Sequence, residues 1–170
     1  LIREVNYLRR PEQVRLLKGV AGAVASLRRA GFKVIVISNQ SGVARGFLNL
    51  KMLAAAHRRL GADLRRAGAK LDGLYFCPHL PEAGCACRKP KIGMIESARR
   101  DLKVDVARSY FIGDTTTDVA TALAAGCAPL LVRTGKGGRD GKYRGKPAKV
   151  FRDLATAARW ILRQPKIGSR

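Results

Sequence analysis

The feature that most constrains the fold is the alternation of short apolar runs with helical patterns along the whole chain. The β-branched run FKVIVIS (32–38) is typical of a buried strand. Further strands are predicted over LDGLYFC (71–77), SYFIGD (109–114) and PLLVR (129–133). Helical patterns cover 19–31, 50–68, 93–102, 119–126 and 151–162. This alternation predicts an α/β fold with a mostly parallel sheet and helices on both faces, where ligands bind at the carboxyl ends of the strands.

The length of 170 residues predicts a single domain, which we expect to cover 1–163, with a frayed basic tail at 164–170. Apolar residues make up 46% of the chain, which argues against disorder. No apolar run approaches the ~20 residues of a membrane span, and no signal peptide is visible. We therefore expect a cytoplasmic protein, a monomer, with no membrane partner.

The charge is strongly unbalanced, with 34 basic against 12 acidic residues and a net charge of +22. A positive field favours anionic partners, either phosphorylated small molecules or nucleic acid, although arginine-rich solvated faces alone would also explain it. Aromatic residues reach only 6%, and no nucleic-acid-binding motif is recognisable. A basic nucleic-acid-binding module, centred on 133–170, stays a remote alternative.

Three cysteines and a histidine fall within eleven residues, as Cys77-Pro78-His79 and Cys85-Ala86-Cys87. Three thiolates and one imidazole form a complete tetrahedral set for Zn²⁺, and a closed set of this kind is structural. The alternative is a disulfide beside a surface histidine, which an intracellular chain disfavours. Cys127 stands apart and is expected to be a small buried residue.

Two polar segments are candidates for binding an anion. Ser38-Asn39-Gln40-Ser41-Gly42 follows the first predicted strand, where hydroxyls and amides can donate hydrogen bonds to a phosphate. Arg88-Lys89-Pro90-Lys91 follows the cysteine loop and places positive charge there. Taken singly, each could instead be an ordinary solvated loop.

Two carboxylates close the third predicted strand, Asp114 directly after Gly113 and Asp118 four residues later. Hard oxygen ligands at a strand end suit Mg²⁺. The alternative is that Asp114 is the N-cap of the next helix and Asp118 is exposed.

In this order the motifs resemble the haloacid dehalogenase superfamily of phosphohydrolases. The Ser38 segment is similar to its second motif, Lys89 to its third, and Gly113-Asp114-x-x-x-Asp118 to its fourth. The segments NQSGVARGF, the cysteine loop with Arg-Lys-Pro, GM at 93–94 and VRTGKG resemble the branch that acts on heptose bisphosphates. The histidinol-phosphatase branch shares the zinc loop and stays open as an alternative.

The resemblance implies a Rossmann-like domain that uses Mg²⁺ to hydrolyse the 7-phosphate of a heptose 1,7-bisphosphate, a phosphorylated sugar. It implies that Ser38 and Lys89 stabilise the phosphoryl group, and that Asp114 holds Mg²⁺ with support from Asp118. Thr115 departs from the basic residue that relatives often carry, which puts one substrate contact in question. The substrate-binding residues it implies are Glu4, Val5, Asn6, Tyr7, Ser38, Asn39, Gln40, Ser41, Arg88 and Lys89.

The first motif of that superfamily, Asp-x-Asp-Gly-Thr at the end of the first strand, has no counterpart here. Its first Asp attacks phosphorus and its second acts as acid and base. The chain begins with residues like those that follow the motif, and Asp63 is its first aspartate. We therefore expect that the first central strand is missing and that the sequence is a truncated, inactive form of a phosphatase. The alternative is a pseudoenzyme that retains phosphate and zinc binding.

Overall fold

A computed structural model describes residues 1–165, so most of the expected tail at 164–170 lies outside the described residues. The chain divides into two compact units, Leu1–Arg88 and Lys89–Arg170. The expectation of a single domain over 1–163 stays a prediction. Within residues 1–165, no helix combines the length and the apolarity needed to cross a membrane.

The first unit contains two helices and two parallel strands. Its elements are a 3₁₀ turn Pro11–Gln13, α1 Val20–Arg29, β1 Ile35–Asn39, α2 Leu50–Arg66, β2 Gly73–Cys77 and a 3₁₀ turn Pro81–Ala83. β1 and β2 run parallel, with Ile35 opposite Gly73 and Asn39 opposite Cys77. The two strands therefore end side by side, and the polar segment and the cysteine loop leave the sheet at the same edge.

The helical periodicity of the first unit is confirmed by the buried faces of α1 and α2. In α1 the buried residues include Val20, Val24 and Leu27, and in α2 they are Leu53, Ala56, Leu60 and Leu64. Asn49 caps α2, since its side chain accepts a hydrogen bond from Met52 N at 2.9 Å. Burial of each large aliphatic side chain contributes about 1.5–3 kcal/mol, which fixes both helices on the unit's core.

Over residues 89–165, the second unit contains three helices and a three-stranded sheet. Its elements are α3 Gly93–Leu102, β3 Tyr110–Gly113, α4 Thr116–Ala125, β4 Ala128–Val132, β5 Lys149–Phe151 and α5 Leu154–Ile161. The strand order is β3-β4-β5 and both pairings are parallel. The predicted α/β class with parallel strands is therefore confirmed.

Two predicted boundaries in the second unit are wrong. Residues 149–151 form β5, where the pattern predicted the start of a helix at Phe151, because Phe151 pairs with Val132. The helix begins later, since Asp153 caps it by accepting a hydrogen bond from Thr156 N at 2.8 Å. α4 begins at Thr116 rather than at 119, because Thr115 provides its N-cap.

The burial of β1 also differs from the prediction. Every residue of β1 is half-buried rather than buried. Within residues 1–165 the strands form two parallel sheets, one in each unit, so β1 has a single strand neighbour instead of the two that a central strand has. A strand with one lateral neighbour keeps more of its side chains accessible. The expected strand before Leu1 stays a prediction.

Candidate functional site

The cysteine loop of the first unit brings four candidate metal ligands together. Cys77 is the last residue of β2 and is fully buried, while the other three ligands lie on the loop that follows. The sulfur of Cys77 lies 3.5 Å from His79 Nδ1 and 3.6 Å from Cys85 Sγ. Cys87 Sγ lies 3.3 Å from His79 Nδ1 and 3.5 Å from Cys85 Sγ. All four donor atoms lie within 4.8 Å of one another.

These separations fit a tetrahedral metal ion. A Zn–S bond of about 2.3 Å places two sulfurs of a tetrahedron about 3.8 Å apart, close to the observed edges. A disulfide needs its sulfurs about 2.05 Å apart, and all four cysteines of the chain are free, so the disulfide alternative is wrong. Cys127 is buried as predicted, and burial raises the pKa of its thiol to about 11.

The thiols of the cluster differ strongly in acidity. Desolvation acts to raise the pKa of Cys85, but hydrogen bonds from the Cys87 and Cys77 thiols, the Arg88 backbone N–H and His79 lower it to about 6. Desolvation together with the neighbouring thiols raises the pKa of Cys87 to about 12. Negative charge is therefore favoured on Cys85 over Cys87, and a bound dication would supply the positive charge that lets Cys87 ionise.

The polar segment 38–42, whose residues Ser38 and Asn39 end β1, is hydrogen-bonded to the start of the cysteine loop. Gln40 N donates to Cys77 O at 2.7 Å, and Ala44 N donates to Pro78 O at 3.3 Å. Gln40 Nε2 donates to Ser38 Oγ at 3.0 Å, and Ser41 is buried. The candidate anion-binding segment and the metal cluster thus form one connected structure in the first unit.

Of the predicted substrate-contacting residues near the N-terminus, Tyr7 packs against this same region. Its ring meets the Phe47 ring edge-on, with centroids 5.0 Å apart, and the Arg45 guanidinium lies 5.6 Å from the Tyr7 centroid. Glu4 and Asn6 are exposed and Val5 is half-buried. The chain therefore folds its early segment onto the turn that follows Ser38–Ser41.

The Arg88 side chain is held by the cysteine loop. Its Nη1 donates to the carbonyl oxygen of His79 at 3.0 Å. The loop thus fixes both the cluster and the direction of this arginine.

In the second unit, Lys89 and Asp118 form a buried ion pair. Lys89 Nζ lies 2.6 Å from Asp118 Oδ1. Asp118 Oδ2 accepts three hydrogen bonds, from Asp114 N and Thr115 N, each at 3.1 Å, and from Thr115 Oγ1 at 2.7 Å. Asp118 is 5% exposed and Thr115 is the N-cap of α4, so the alternative with an Asp114 cap and an exposed Asp118 is wrong.

Asp114 is held from the other side by the glycine-rich segment after β4. Lys136 N donates to Asp114 Oδ2 at 2.7 Å, and Gly138 N donates to the Asp114 carbonyl at 2.8 Å. Among residues 1–165, Asp114 Oδ1 accepts no hydrogen bond. A carboxylate that is held through one oxygen, and whose other oxygen accepts no hydrogen bond from these residues, suits a hard cation such as Mg²⁺.

Two glycines make this arrangement possible. A Cβ on Gly113 would lie 2.2 Å from Asp118 Cβ, and a Cβ on Gly135 would lie 2.3 Å from Asp114 Oδ2. Gly135 also has a φ of +70°, a conformation that L side chains rarely adopt. The close approach of both carboxylates therefore requires glycine at these positions.

One residue of this region was missed by the sequence analysis. Asp140 accepts hydrogen bonds from Thr116 N at 2.7 Å and from Thr116 Oγ1 at 2.8 Å. Burial acts to raise the pKa of Asp140, but the hydrogen bonds from Thr116 and Thr117 lower it below its ordinary value of 3.8. The only sequence signal was its position within a basic, glycine-rich loop, 24 residues from its partner.

Comparisons with known proteins agree on one group of relatives. Residues 86–157 match the family described as HAD-hydrolase-like. The chain is 39% identical over 158 residues to the D-glycero-beta-D-manno-heptose-1,7-bisphosphate 7-phosphatase of Pseudomonas putida, covering 92% of this chain and 90% of that protein. It is 42% identical over 176 residues to the D-glycero-D-manno-heptose-1,7-bisphosphate 7-phosphatase of Thermosynechococcus vestitus, covering 95% and 90%.

A solved structure is similar over nearly the same length. It is the D,D-heptose 1,7-bisphosphate phosphatase from B. bronchiseptica, complexed with magnesium and phosphate. The TM-score is 0.86 at 36% identity, and the match covers 94% of this chain and 90% of that one.

Proposed function

Because the chain belongs to the haloacid dehalogenase-like hydrolases, in the family of the heptose 1,7-bisphosphate 7-phosphatases, we propose that its reaction is hydrolysis of the 7-phosphate of D-glycero-D-manno-heptose 1,7-bisphosphate. The product is heptose 1-phosphate, and the reaction class is phosphoric monoester hydrolysis. Such a product suits the synthesis of nucleotide-activated heptose for lipopolysaccharide core.

The observation that carries the proposal is the Lys89–Asp118 pair beside Asp114. Asp118 has both oxygens occupied, so it orients Lys89 and the Asp114 backbone rather than binding a ligand itself. Lys89 carries the positive charge that would stabilise a phosphoryl group. Asp114 Oδ1, which accepts no hydrogen bond among residues 1–165, would hold Mg²⁺. When bound, Mg²⁺ supplies charge neutralisation at the phosphoryl oxygens.

The family resemblance also assigns roles to residues of the first unit. Ser38 is assigned to stabilising the phosphoryl group, and Arg88 to recognising the substrate. The other proposed substrate contacts are Glu4, Val5, Asn6, Tyr7, Asn39, Gln40 and Ser41. The cluster of Cys77, His79, Cys85 and Cys87 is assigned to a structural Zn²⁺, which its distances and donor chemistry favour.

No residue is assigned as the nucleophile, because the 170 residues contain no Asp-x-Asp pair. We keep the proposal that the sequence as given does not turn over. A non-catalytic phosphosugar-binding protein is the corresponding alternative.

A second candidate is hydrolysis of histidinol phosphate by the same residues. The Cys-x-His and Cys-x-Cys loop fits histidinol phosphate hydrolysis as well as heptose bisphosphate hydrolysis, because both branches of the superfamily share this loop. The relatives from Pseudomonas putida and Thermosynechococcus vestitus and the similar solved structure, all heptose 1,7-bisphosphate phosphatases, favour the heptose substrate.

The test is phosphate release in the presence of Mg²⁺ from heptose 1,7-bisphosphate and from histidinol phosphate. It is run on the 170-residue chain and on a chain extended upstream of Leu1. We expect no release by the 170-residue chain, and release from the heptose bisphosphate by the extended one. Preference for histidinol phosphate would overturn the substrate, and turnover by the 170-residue chain would mean that one of its own carboxylates attacks phosphorus.

A further inference from the structure

Asp140 accepts two hydrogen bonds from Thr116 in the first turn of α4. Asp140 Oδ1 accepts from Thr116 N at 2.7 Å, and Oδ2 accepts from Thr116 Oγ1 at 2.8 Å. The same Thr116 oxygen accepts from Lys142 N at 3.0 Å and from Tyr143 N at 3.2 Å. The Thr116 hydroxyl therefore uses its donor on Asp140 and its acceptor capacity on the backbone that follows Asp140.

The segment that Asp140 fastens is the one that holds Asp114. We define the basic loop as residues 133–147. Its Lys136 N–H holds the Asp114 carboxylate at 2.7 Å, and its Gly138 N–H holds the Asp114 carbonyl at 2.8 Å. Asp114 precedes Thr116 by two residues, so all these attachments lie at the junction of β3 and α4. Asp140 thus attaches the later part of the basic loop to α4, and the earlier part of the same loop holds Asp114.

The composition of the basic loop explains why it needs this anchor. It contains five glycines and six basic residues, and Asp140 is its only acidic residue. Glycine raises the conformational entropy that ordering must overcome, and like charges repel one another. A carboxylate at a helix N-terminus meets free N–H groups and the positive end of the helix dipole, which offset those costs.

We propose that Asp140 is a positioning residue for Asp114, acting by anchoring the basic loop on α4 so that the Lys136 N–H holds the Asp114 carboxylate in one orientation. The inference rests on the proposed function in one respect, namely that Asp114 holds Mg²⁺. Partners that orient a metal-binding carboxylate typically change metal affinity about 10–100-fold when they are removed.

The experiment compares Asp140→Ala with Asp153→Ala in the full chain. The two are matched, because each removes a carboxylate that accepts hydrogen bonds at the start of a helix of the second unit, Asp140 at α4 and Asp153 at α5. Two quantities are measured: amide hydrogen exchange at Lys136 and Gly138, and the Mg²⁺ dissociation constant by titration calorimetry. Asp140→Asn, which keeps one acceptor oxygen, serves as the milder variant if Asp140→Ala does not fold.

We expect Asp140→Ala to speed exchange at Lys136 and Gly138 and to raise the Mg²⁺ dissociation constant about tenfold or more. Asp140→Asn should lie in between, and Asp153→Ala should lie near the unchanged chain. Equal effects of Asp140→Ala and Asp153→Ala on both quantities would overturn the inference. If the unchanged chain binds no Mg²⁺, the proposed role of Asp114 fails, and the exchange rates still decide whether Asp140 anchors the loop.

Discussion

Lys89 Nζ lies 2.6 Å from Asp118 Oδ1, and the side chains of the two residues are only 12% and 7% exposed. Thr115 and the backbone of Asp114 occupy the other Asp118 oxygen. Each oxygen of the Asp118 carboxylate therefore accepts hydrogen bonds from specific groups. A buried charge with all its partners in place is tolerated, whereas one that has lost its partner is costly.

Asp118→Asn is expected to destabilise the protein by about 3–5 kcal/mol, the usual cost of breaking a buried pair from one side. The asparagine amide group would have to face either the Lys89 ammonium or the Thr115 donors, and both are themselves donors. Urea unfolding gives the change in the free energy of unfolding.

The control is Glu96→Gln. It breaks an exposed pair with Arg99 of 3.0 Å and is expected to cost no more than about 1 kcal/mol. Equal losses in the two variants would show that burial of the Lys89–Asp118 pair has no energetic role.

Gly135→Ala is expected to displace the Asp114 carboxylate. The added Cβ would lie 2.3 Å from Asp114 Oδ2, and the φ of +70° adds strain of about 1–2 kcal/mol. We expect a loss of stability together with Mg²⁺ affinity weakened about tenfold or more, measured by calorimetry.

Gly141→Ala separates the backbone strain from the steric displacement of Asp114. Gly141 lies in the same loop with a φ of +57°, and a Cβ there meets nothing within 4 Å. This variant should be destabilised by the backbone strain alone and should keep its Mg²⁺ affinity. The steric explanation fails if both variants bind Mg²⁺ equally well.

Purified protein is expected to contain one zinc ion for each chain, held by the cysteine cluster. Because structural zinc contributes folding free energy directly, removal by a chelator should lower the unfolding temperature. Cys87→Ser should lose the zinc, since it removes a ligand whose sulfur lies 3.3 Å from His79 Nδ1 and 3.5 Å from Cys85 Sγ. Elemental analysis and thermal unfolding measure both effects.

Cys127→Ala is the matched cysteine control. Cys127 is buried outside the cluster, so this variant should keep its full zinc content. Freshly purified protein without zinc would contradict the assignment of the cluster.

Acid is expected to weaken the hydrogen bonds that Asp140 and Asp153 accept at the starts of α4 and α5. Hydrogen bonds from Thr116 and Thr117 lower the pKa of Asp140 against the opposing effect of burial, and the Thr156 backbone N–H lowers the pKa of Asp153. A carboxyl group with a lowered pKa in the folded state stabilises the fold fully above its unfolded value near 3.8. That contribution is lost as pH falls through the lower folded value.

The measurement is urea unfolding of the unchanged chain and of the double variant Asp140→Asn, Asp153→Asn at a series of pH values. Their difference in unfolding free energy should be constant above about pH 5 and should shrink below about pH 4. Taking the difference cancels the acid sensitivity of the metal cluster. A difference that does not change with pH would mean that neither set of hydrogen bonds depends on the charge of its carboxylate.

Much of the fold follows from local patterns that the chain carries in short segments. Val20, Val24 and Leu27 in α1, and Leu53, Leu60 and Leu64 in α2, lie on the buried faces that their spacing predicts. The short β5 was missed because three residues carry too little periodicity, and its identity depends on pairing with β4.

The candidate site likewise has features that could be predicted from the sequence and features that could not. The cysteine cluster could be predicted because its four ligands lie within eleven residues, where chain connectivity alone keeps them close. The Asp114 and Asp118 motif was visible for the same reason, but the occupation of both Asp118 oxygens was not, since Lys89 lies 29 residues away.

The sequence by itself determined the α/β alternation, the metal-ligand set and the family motifs, all of which are encoded over a few neighbouring residues. Only the tertiary structure decided that β1 is half-buried, that Asp118 is buried against Lys89, and that Asp140 reaches back to Thr116. The physical reason is that these features depend on which distant segments meet. The packing of the whole unit decides which distant segments meet. Loop closure costs little extra free energy over tens of residues, so many pairings are possible. Such a pairing leaves no local periodicity in the sequence.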